Sequence, residues 1–165
     1  MSISPWKATT RSIPARERVA LLVHRQLDRR LSRFGVWLMR KTKGSLAARY
    51  GVQAIVLTTL GRRSGRSRSV VLQSFPDGES FIVVATNDGG ATHPAWFLNL
   101  QSNPEAAVEI GERRMRVAAE VLGEDEAAEW WRRIVARAPA YDRYRRATNR
   151  AFPIVSLTPR GDAPR

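Results

Sequence analysis

The sequence predicts an α+β fold, a small antiparallel barrel with flanking helices, preceded by a basic amphipathic helix. Two observations predict it. The apolar spacing changes near residue 50 from the three-to-four-residue period of a helix to the alternation and β-branched runs of strands. From there on, the strand-like runs are short and joined mainly by tight turns, Pro76-Asp77-Gly78-Glu79 and Gly111-Glu112 among them, which is hairpin connectivity. Five or six such strands with one buried face close readily into a barrel.

Residues 1–15 carry Pro5 and Pro14 without periodicity and read as a loose arm. From Arg16 to Met39 the residues Val19, Val23, Leu27, Leu31, Phe34 and Leu38 form one helical stripe, with Arg25, Arg29, Arg33 and Arg40 opposite. Lys41, Lys43 and Gly44 end the helix with cations near its negative end. Such a helix can lie on a membrane interface or pack its stripe on its own domain, and the second is the reading preferred. Strands follow at Gln53 to Leu60, Ser67 to Phe75, Ser80 to Thr86, Ala106 to Ile110, Arg113 to Val121 and Phe152 to Thr158. Helices interrupt them at Pro94 to Gln101 and Glu124 to Arg137, the second resuming from Tyr141 to Thr148. The chain thus divides into an arm and basic helix, 1–49, and a barrel domain, 50–160.

With 165 residues and 43% apolar content, the chain is one domain of ordinary size. The absence of cysteine excludes a disulfide framework, cysteine-ligated metal and a thiol nucleophile. His24 and His93 are too few for a histidine metal site, so no metal is expected. No apolar run is long enough to span a bilayer and no signal-peptide core is present, which places the protein in the cytoplasm. The net charge is +13, and residues 1–50 supply +10 of it. Charge alone does not choose between nucleic acid, an anionic membrane surface and an acidic ligand.

The motif that narrows the choice is LTTLGRRSGRSR, residues 57–68. A β-type run ends in a turn bracketed by Gly61 and Gly65 and carrying Arg62, Arg63, Arg66 and Arg68, with Ser64 and Ser67 adding hydroxyls. Guanidinium forks, hydroxyls and backbone N–H groups in one turn suit a phosphate or carboxylate, although a solvated basic hairpin has the same residues. The motif is neither GxxxxGK[ST] nor GxGxxG. A second constellation is Asn87-Asp88-Gly89-Gly90-Ala91-Thr92-His93, a glycine-bearing loop leading into the helix of Trp96 and Phe97. The aromatic pair can face a ligand or the core, and His93, before a proline, is expected to cap that helix or face water. Tyr141 and Tyr144 share a helix face and either line a pocket mouth or cover the barrel. No Ser-His-Asp set, HExxH or carboxylate pair stands out, so any catalysis is expected to be cofactor chemistry.

The order LTTLGRRSGRSR, DGESFIVVATNDGG, HPAWFLNLQSNPEAAVEIG, YDRY, FPIVSLTP, spanning about residues 50–159, resembles the deazaflavin-dependent nitroreductase family of split β-barrel oxidoreductases, with a flavin-reductase or FMN-binding-like barrel. The resemblance implies coenzyme F420, an 8-hydroxy-5-deazaflavin whose phosphate-linked tail ends in glutamates. It implies that the arginine turn and next strand hold phosphate and tail through Arg62, Arg63, Ser64, Arg68, Ser69, Val70, Val71, Leu72 and Gln73. Val84, Ala85, Thr86 and Asn87 would border the ring system, and Ala95, Trp96, Phe97, Leu98 and Asn99 would close over the coenzyme. Tyr141 matches a tyrosine beside ring and substrate, with Tyr144 a second pocket tyrosine, and both are candidates to orient or protonate the acceptor. Gln73 stands where some members have an aromatic residue and Ala138 where a further tyrosine occurs, which implies a less aromatic substrate pocket.

The implied reaction is hydride transfer from the reduced deazaflavin to an electron-poor small molecule: a quinone, a nitroaromatic or an activated alkene. A lipid quinone would give the basic helix a reason to sit on the inner face of the membrane. A homodimer is compatible with the sequence. Two rivals remain at this stage. FMN, with one phosphate and no glutamate tail, leaves four arginines in excess. A non-enzymatic membrane or nucleic-acid module lacks aromatics interleaved with the basic strand positions, so nucleic acid is not an expected partner.

Overall fold

The computed structural model describes residues 29–49 and 51–162. The arm and the first part of the basic helix, through residue 28, lie outside the described residues. The described chain begins with α1 (Arg29–Thr42), turns at Lys43 and Gly44, both with positive φ, and continues into the short α2 (Ser45–Arg49). Seven strands follow: β1 (Ala54–Leu60), β2 (Ser67–Gln73), β3 (Phe75–Asp77), β4 (Ser80–Val84), β5 (Glu105–Ile110), β6 (Arg113–Val121) and β7 (Ile154–Asp162). Between them lie α3 (Ala95–Ser102), α4 (Glu124–Arg137) and α5 (Ala140–Arg146).

All paired strands are antiparallel, in the order β2-β1-β5-β6-β7-β4-β3. The run from Ser67 to Phe75, read from the sequence as one strand, is broken at Ser74. The break is what curls the sheet. β2 lies on one edge, paired with β1, and β3 lies on the other edge, paired with β4, so the chain steps from edge to edge across Ser74. Ser74 is buried, and its N–H donates to the Gln53 carbonyl at 2.9 Å. The two edge strands are thereby consecutive in the chain, which brings the ends of the sheet toward each other as a small barrel requires.

The inward faces of β1, β2, β4, β5, β6 and β7 meet in one core that includes Ile55, Leu57, Val83, Val108 and Leu157, with Trp96, Phe97 and Leu100 of α3 closing it. A second cluster, Phe75, Ile82, Val84, Trp130, Ile134, Tyr141 and Ile154, joins α4 and α5 to the other face of β3, β4 and β7. A third places Val36 and Ala47 against Ala54, Val56 and Val71, with Met39 beside them. The basic helix therefore packs on the domain, as preferred from its sequence, but with Val36 and not Phe34 as its anchor. Phe34 is 57% exposed and Trp37 54% exposed, and their rings stack at 5.6 Å. Ion pairs from Arg40 to Glu109 (2.6 Å) and Lys43 to Glu112 tie the end of α1 to the β5–β6 hairpin.

Candidate active site

The turn between β1 and β2 is closed by its own backbone. Gly61 N–H donates to Arg66 O (2.9 Å), Ser64 and Gly65 N–H to Gly61 O (3.1 and 2.7 Å), and Arg66 N–H to Ser64 Oγ (3.4 Å). The reversal needs a glycine at Gly65 and leaves little room for a Cβ at Gly61. Gly65 has φ +60°, and a Cβ at Gly61 would lie 2.8 Å from Ser64 Oγ. Four of the turn's N–H groups are spent internally, so the expectation of a backbone anion cradle is corrected: what the turn presents outward is guanidinium. Arg62, Arg63, Arg66 and Arg68 are exposed, as is Ser64, and among the described residues none of the four arginines has a carboxylate partner.

The Arg62 N–H is held from a distance. It donates to Asn99 Oδ1 at 3.1 Å, while Asn99 Nδ2 donates to Thr59 Oγ1 at 3.0 Å. Asn99 is buried and its amide is used at both ends, so it braces the turn against α3 and does not reach outward. Along β2, Ser69 is hydrogen-bonded to Thr58 (2.8 Å), Val70 and Leu72 enter the barrel core, Val71 points to α1, and Gln73 is buried. On this strand past Arg68, therefore, the apolar side chains serve packing and only backbone is left to meet a ligand.

The segment after β4 lies beside α3 and α5. Val84, Ala85 and Thr86 are buried and Asn87 is half-buried. Asn87, Asp88 and Gly89 all have positive φ (49°, 52° and 77°), an unusual run that brings Gly89 against the Tyr144 backbone, where an added Cβ would be 3.3 Å from the carbonyl. His93 is half-buried and does not cap the helix, which corrects that part of the sequence reading. Its ring is 5.1 Å from that of Phe97, and Nδ1 accepts from Arg150 Nη1 at 2.9 Å. Pro94 occupies the cap position. Burial and the Arg150 charge both lower the His93 pKa, which keeps the ring neutral with its proton on Nε2.

Trp96 and Phe97 are core residues, edge to face at 6.1 Å, Leu98 is half-buried and Ala95 exposed at the start of α3. Tyr141 is 1% exposed, with its ring edge to face with both Phe75 (5.8 Å) and Tyr144 (6.2 Å). Burial first, then Tyr144 and the Asp88 carboxylate, push the Tyr141 hydroxyl well above its ordinary value of 10. Burial and Asp88, offset by Arg143, push Tyr144 up to about 12. Both are neutral phenols at any physiological pH and can donate hydrogen bonds but not serve as phenolate bases.

Arg150 went unnoticed in the sequence. Its partners lie 57 to 65 residues away, apart from the neighbouring carbonyl, and no local pattern marks it. Segments remote in sequence thus form one array: arginine turn, Asn99 and α3, the 85–93 loop stacked on α3 through His93, and the tyrosine helix under Gly89.

Two solved structures share this architecture. One is described as an F420-H2-dependent reductase, FDR-A, with TM-score 0.58 and 29% identity over 64% of this chain and 93% of that one. Another, described as a domain-swapped dimer, has TM-score 0.59 and 26% identity over 74% of this chain and 98% of that one. The class is that of split β-barrel oxidoreductases. Among relatives in Mycobacterium tuberculosis, Rv3178, named provisionally as an F420H(2)-dependent quinone reductase, is 35% identical over 66% of this chain and 92% of its own length. Rv1261c, named F420H(2)-dependent quinone reductase, is 28% identical over 74% of this chain and 86% of its own. The family model F420H(2)-dependent quinone reductase matches residues 31–159, and the chain belongs to that family, as an oxidoreductase using coenzyme F420. The residues present fit the coenzyme: four exposed guanidiniums without carboxylate partners among the described residues are the donor set that a phosphate and polyglutamate tail needs.

Proposed function

We propose that the arginine turn, the 85–93 loop and the Tyr141–Tyr144 pair together form the site in which this chain reduces a quinone at the expense of reduced F420. When bound, the coenzyme supplies the hydride. The chain's residues do the rest. Arg62, Arg63 and Arg68 hold the anionic tail, with Ser64 and the backbone of residues 69–73 alongside. Asn99 supports the turn from behind as a brace. The backbone of Val84, Ala85, Thr86 and Asn87 borders the ring, with Ala95 and Leu98 of α3 beside it and the rings of Trp96 and Phe97 giving that helix its footing. Tyr141 and Tyr144, kept neutral, direct hydrogen bonds to the acceptor oxygen, where charge develops during reduction. The observation that carries this reading is the continuity of the array, with four exposed arginines that have no carboxylate partner among the described residues at one end and the buried Tyr141 and half-buried Tyr144 at the other.

The test is a fluorescence titration with oxidised F420 and, in parallel, FMN. Saturable F420 binding that weakens about tenfold or more in Arg62→Ala/Arg63→Ala is the expected result, since a charge-assisted hydrogen bond is worth about 1.5–3 kcal/mol. Equal affinity in that variant would remove the turn from the site, and preference for FMN would move the chain to flavin chemistry.

The partners follow the same reading. A lipid quinone suits a membrane-facing α1, supported by the exposed Phe34–Trp37 pair, by Lys41 5.7 Å from the Trp37 ring, and by the basic charge of residues 1–50. None of the described helices is long and apolar enough to cross a membrane; the contact proposed is a peripheral one through α1. Sedimentation with phosphatidylglycerol vesicles, abolished by Phe34→Ala/Trp37→Ala, is the outcome this requires. The swapped dimer among the structural neighbours supports a homodimer, which light scattering decides.

A further inference from the structure

Arg150 donates from one guanidinium to five acceptors: Gly90 O from Nε (3.1 Å), Ala85 O, His93 Nδ1 and Ala151 O from Nη1 (3.1, 2.9 and 3.2 Å) and Thr86 O from Nη2 (2.6 Å). Four of the five belong to the 85–93 loop. The guanidinium carbon lies 4.8 Å from the Phe152 ring centre, Phe152 lies against Trp131 (6.1 Å), and Arg145 covers Trp131 (5.4 Å). A cation in this half-buried position would ordinarily pair with a carboxylate, and among the described residues it pairs with none. Its three nitrogens donate instead to carbonyls and one imidazole, Nη1 sharing its two hydrogens among three acceptors, an array that a planar fork is shaped to gather. What it gathers is strained: the left-handed run Asn87-Asp88-Gly89 sits between the Thr86 and Gly90 carbonyls it holds. Sparsely populated backbone of this kind persists only where its surroundings over-determine it.

We propose that Arg150 is a positioning residue of the reductase: seated on Phe152, it locks the 85–93 loop into one shape and so sets the edge against which the coenzyme ring lies. The inference rests on the reading that Val84 to Asn87 border that ring. On that reading Arg150 acts through the loop it holds and not on ring or acceptor. Its contribution is to the alignment of donor and acceptor, to which hydride transfer is steeply sensitive, a displacement of about 1 Å costing on the order of 100-fold in rate.

The test uses the full-length protein and the variants Arg150→Met and Arg150→Lys. Without coenzyme, hydrogen–deuterium exchange should quicken in the peptide covering residues 85–93 of both variants and stay unchanged in β1 and β5. With coenzyme, the affinity for oxidised F420 should stay within about threefold of the parent, because the tail site is intact. Single-turnover hydride transfer to menadione should fall about 10- to 100-fold in Arg150→Met and less in Arg150→Lys, with an undiminished deuterium isotope effect from 5-deuterated F420H2. A mere loss of folded protein would lower the amplitude and leave rate and isotope effect alone. Should Arg150→Met fail to fold, Arg150→Lys decides: parental loop exchange and parental rate in that variant overturn the proposal. If rate and affinity also ignore Arg62→Ala/Arg63→Ala and Thr86→Pro, the site assignment itself is wrong; if they respond to those and not to Arg150, only the present proposal falls.

Discussion

Asn99 links two parts of the site through one buried amide, accepting from Arg62 N–H and donating to Thr59 Oγ1. Asn99→Ala strands both partners, at a cost of about 1–3 kcal/mol for a buried group left unpaired. Thermal unfolding should shift down accordingly, and F420 affinity should drop although Asn99 does not touch the tail. His93 and the tyrosines have opposite pH signatures. The folded pKa of His93 lies below its ordinary 6.5, so its contribution to stability is present above 6.5 and is lost as pH falls below it, when the unfolded chain takes up the proton first. Melting temperatures between pH 7.5 and 5 should therefore fall more steeply in the parent than in His93→Gln. Tyr144, raised to about 12, stabilises fully below pH 10 and loses that contribution between 10 and 12. Alkaline melting curves of Tyr144→Phe should be flatter over that interval.

Helix α1 shows how an amphipathic pattern can be right in kind and wrong in face. Phe34 belongs to the stripe it shares with Leu31 and Leu38, but Val36, two residues on and about 200° around the helix from it, is the residue packed with Val56 and Val71. Phe34 therefore stands away from the sheet, and it and Trp37 remain exposed, with Lys41 beside the Trp37 ring. Val36→Ala should cost about 1.5 kcal/mol, two methylene equivalents of burial, whereas Phe34→Ala and Trp37→Ala should leave the melting temperature within about a degree. At the other end of the domain, α3 was legible from its proline start and apolar run. Its role as the brace between turn and loop was not, because Asn99 meets Thr59 from 40 residues away.

At the scale of the whole barrel, closure depends on the step at Ser74. The N–H there donates to Gln53 O, and proline at this position removes the donor at the point where the chain changes edge. Ser74→Pro should lower stability by about 1–3 kcal/mol, or roughly 3–10 °C in melting temperature for a chain of this size, read by circular dichroism. The hairpins and α4 were legible: strand Arg113–Val121 and helix Glu124–Arg137 have the limits their sequence predicts, and Gly78 and Gly111 adopt the positive φ their turns demand. The step at Ser74 was not legible, since Val70 to Phe75 is one unbroken apolar run apart from Gln73 and Ser74.

The sequence by itself determined most of the strands and helices, though not the division of Ser67 to Phe75 into two, together with the absence of cysteine chemistry, the arginine turn and, through the order of its motifs, the family and its coenzyme. These are local quantities: periodicity, turn chemistry and charge are written in neighbouring residues. Tertiary structure alone decided which face of α1 is buried, that the turn offers guanidinium more than backbone N–H, that His93 is a neutral acceptor, and that Arg150 holds the loop beside the tyrosines. The turn closes on itself through bonds between residues 61 and 66 whose geometry composition does not state, and the other three depend on partners distant in sequence, contacts whose two halves meet only when the sheet curls.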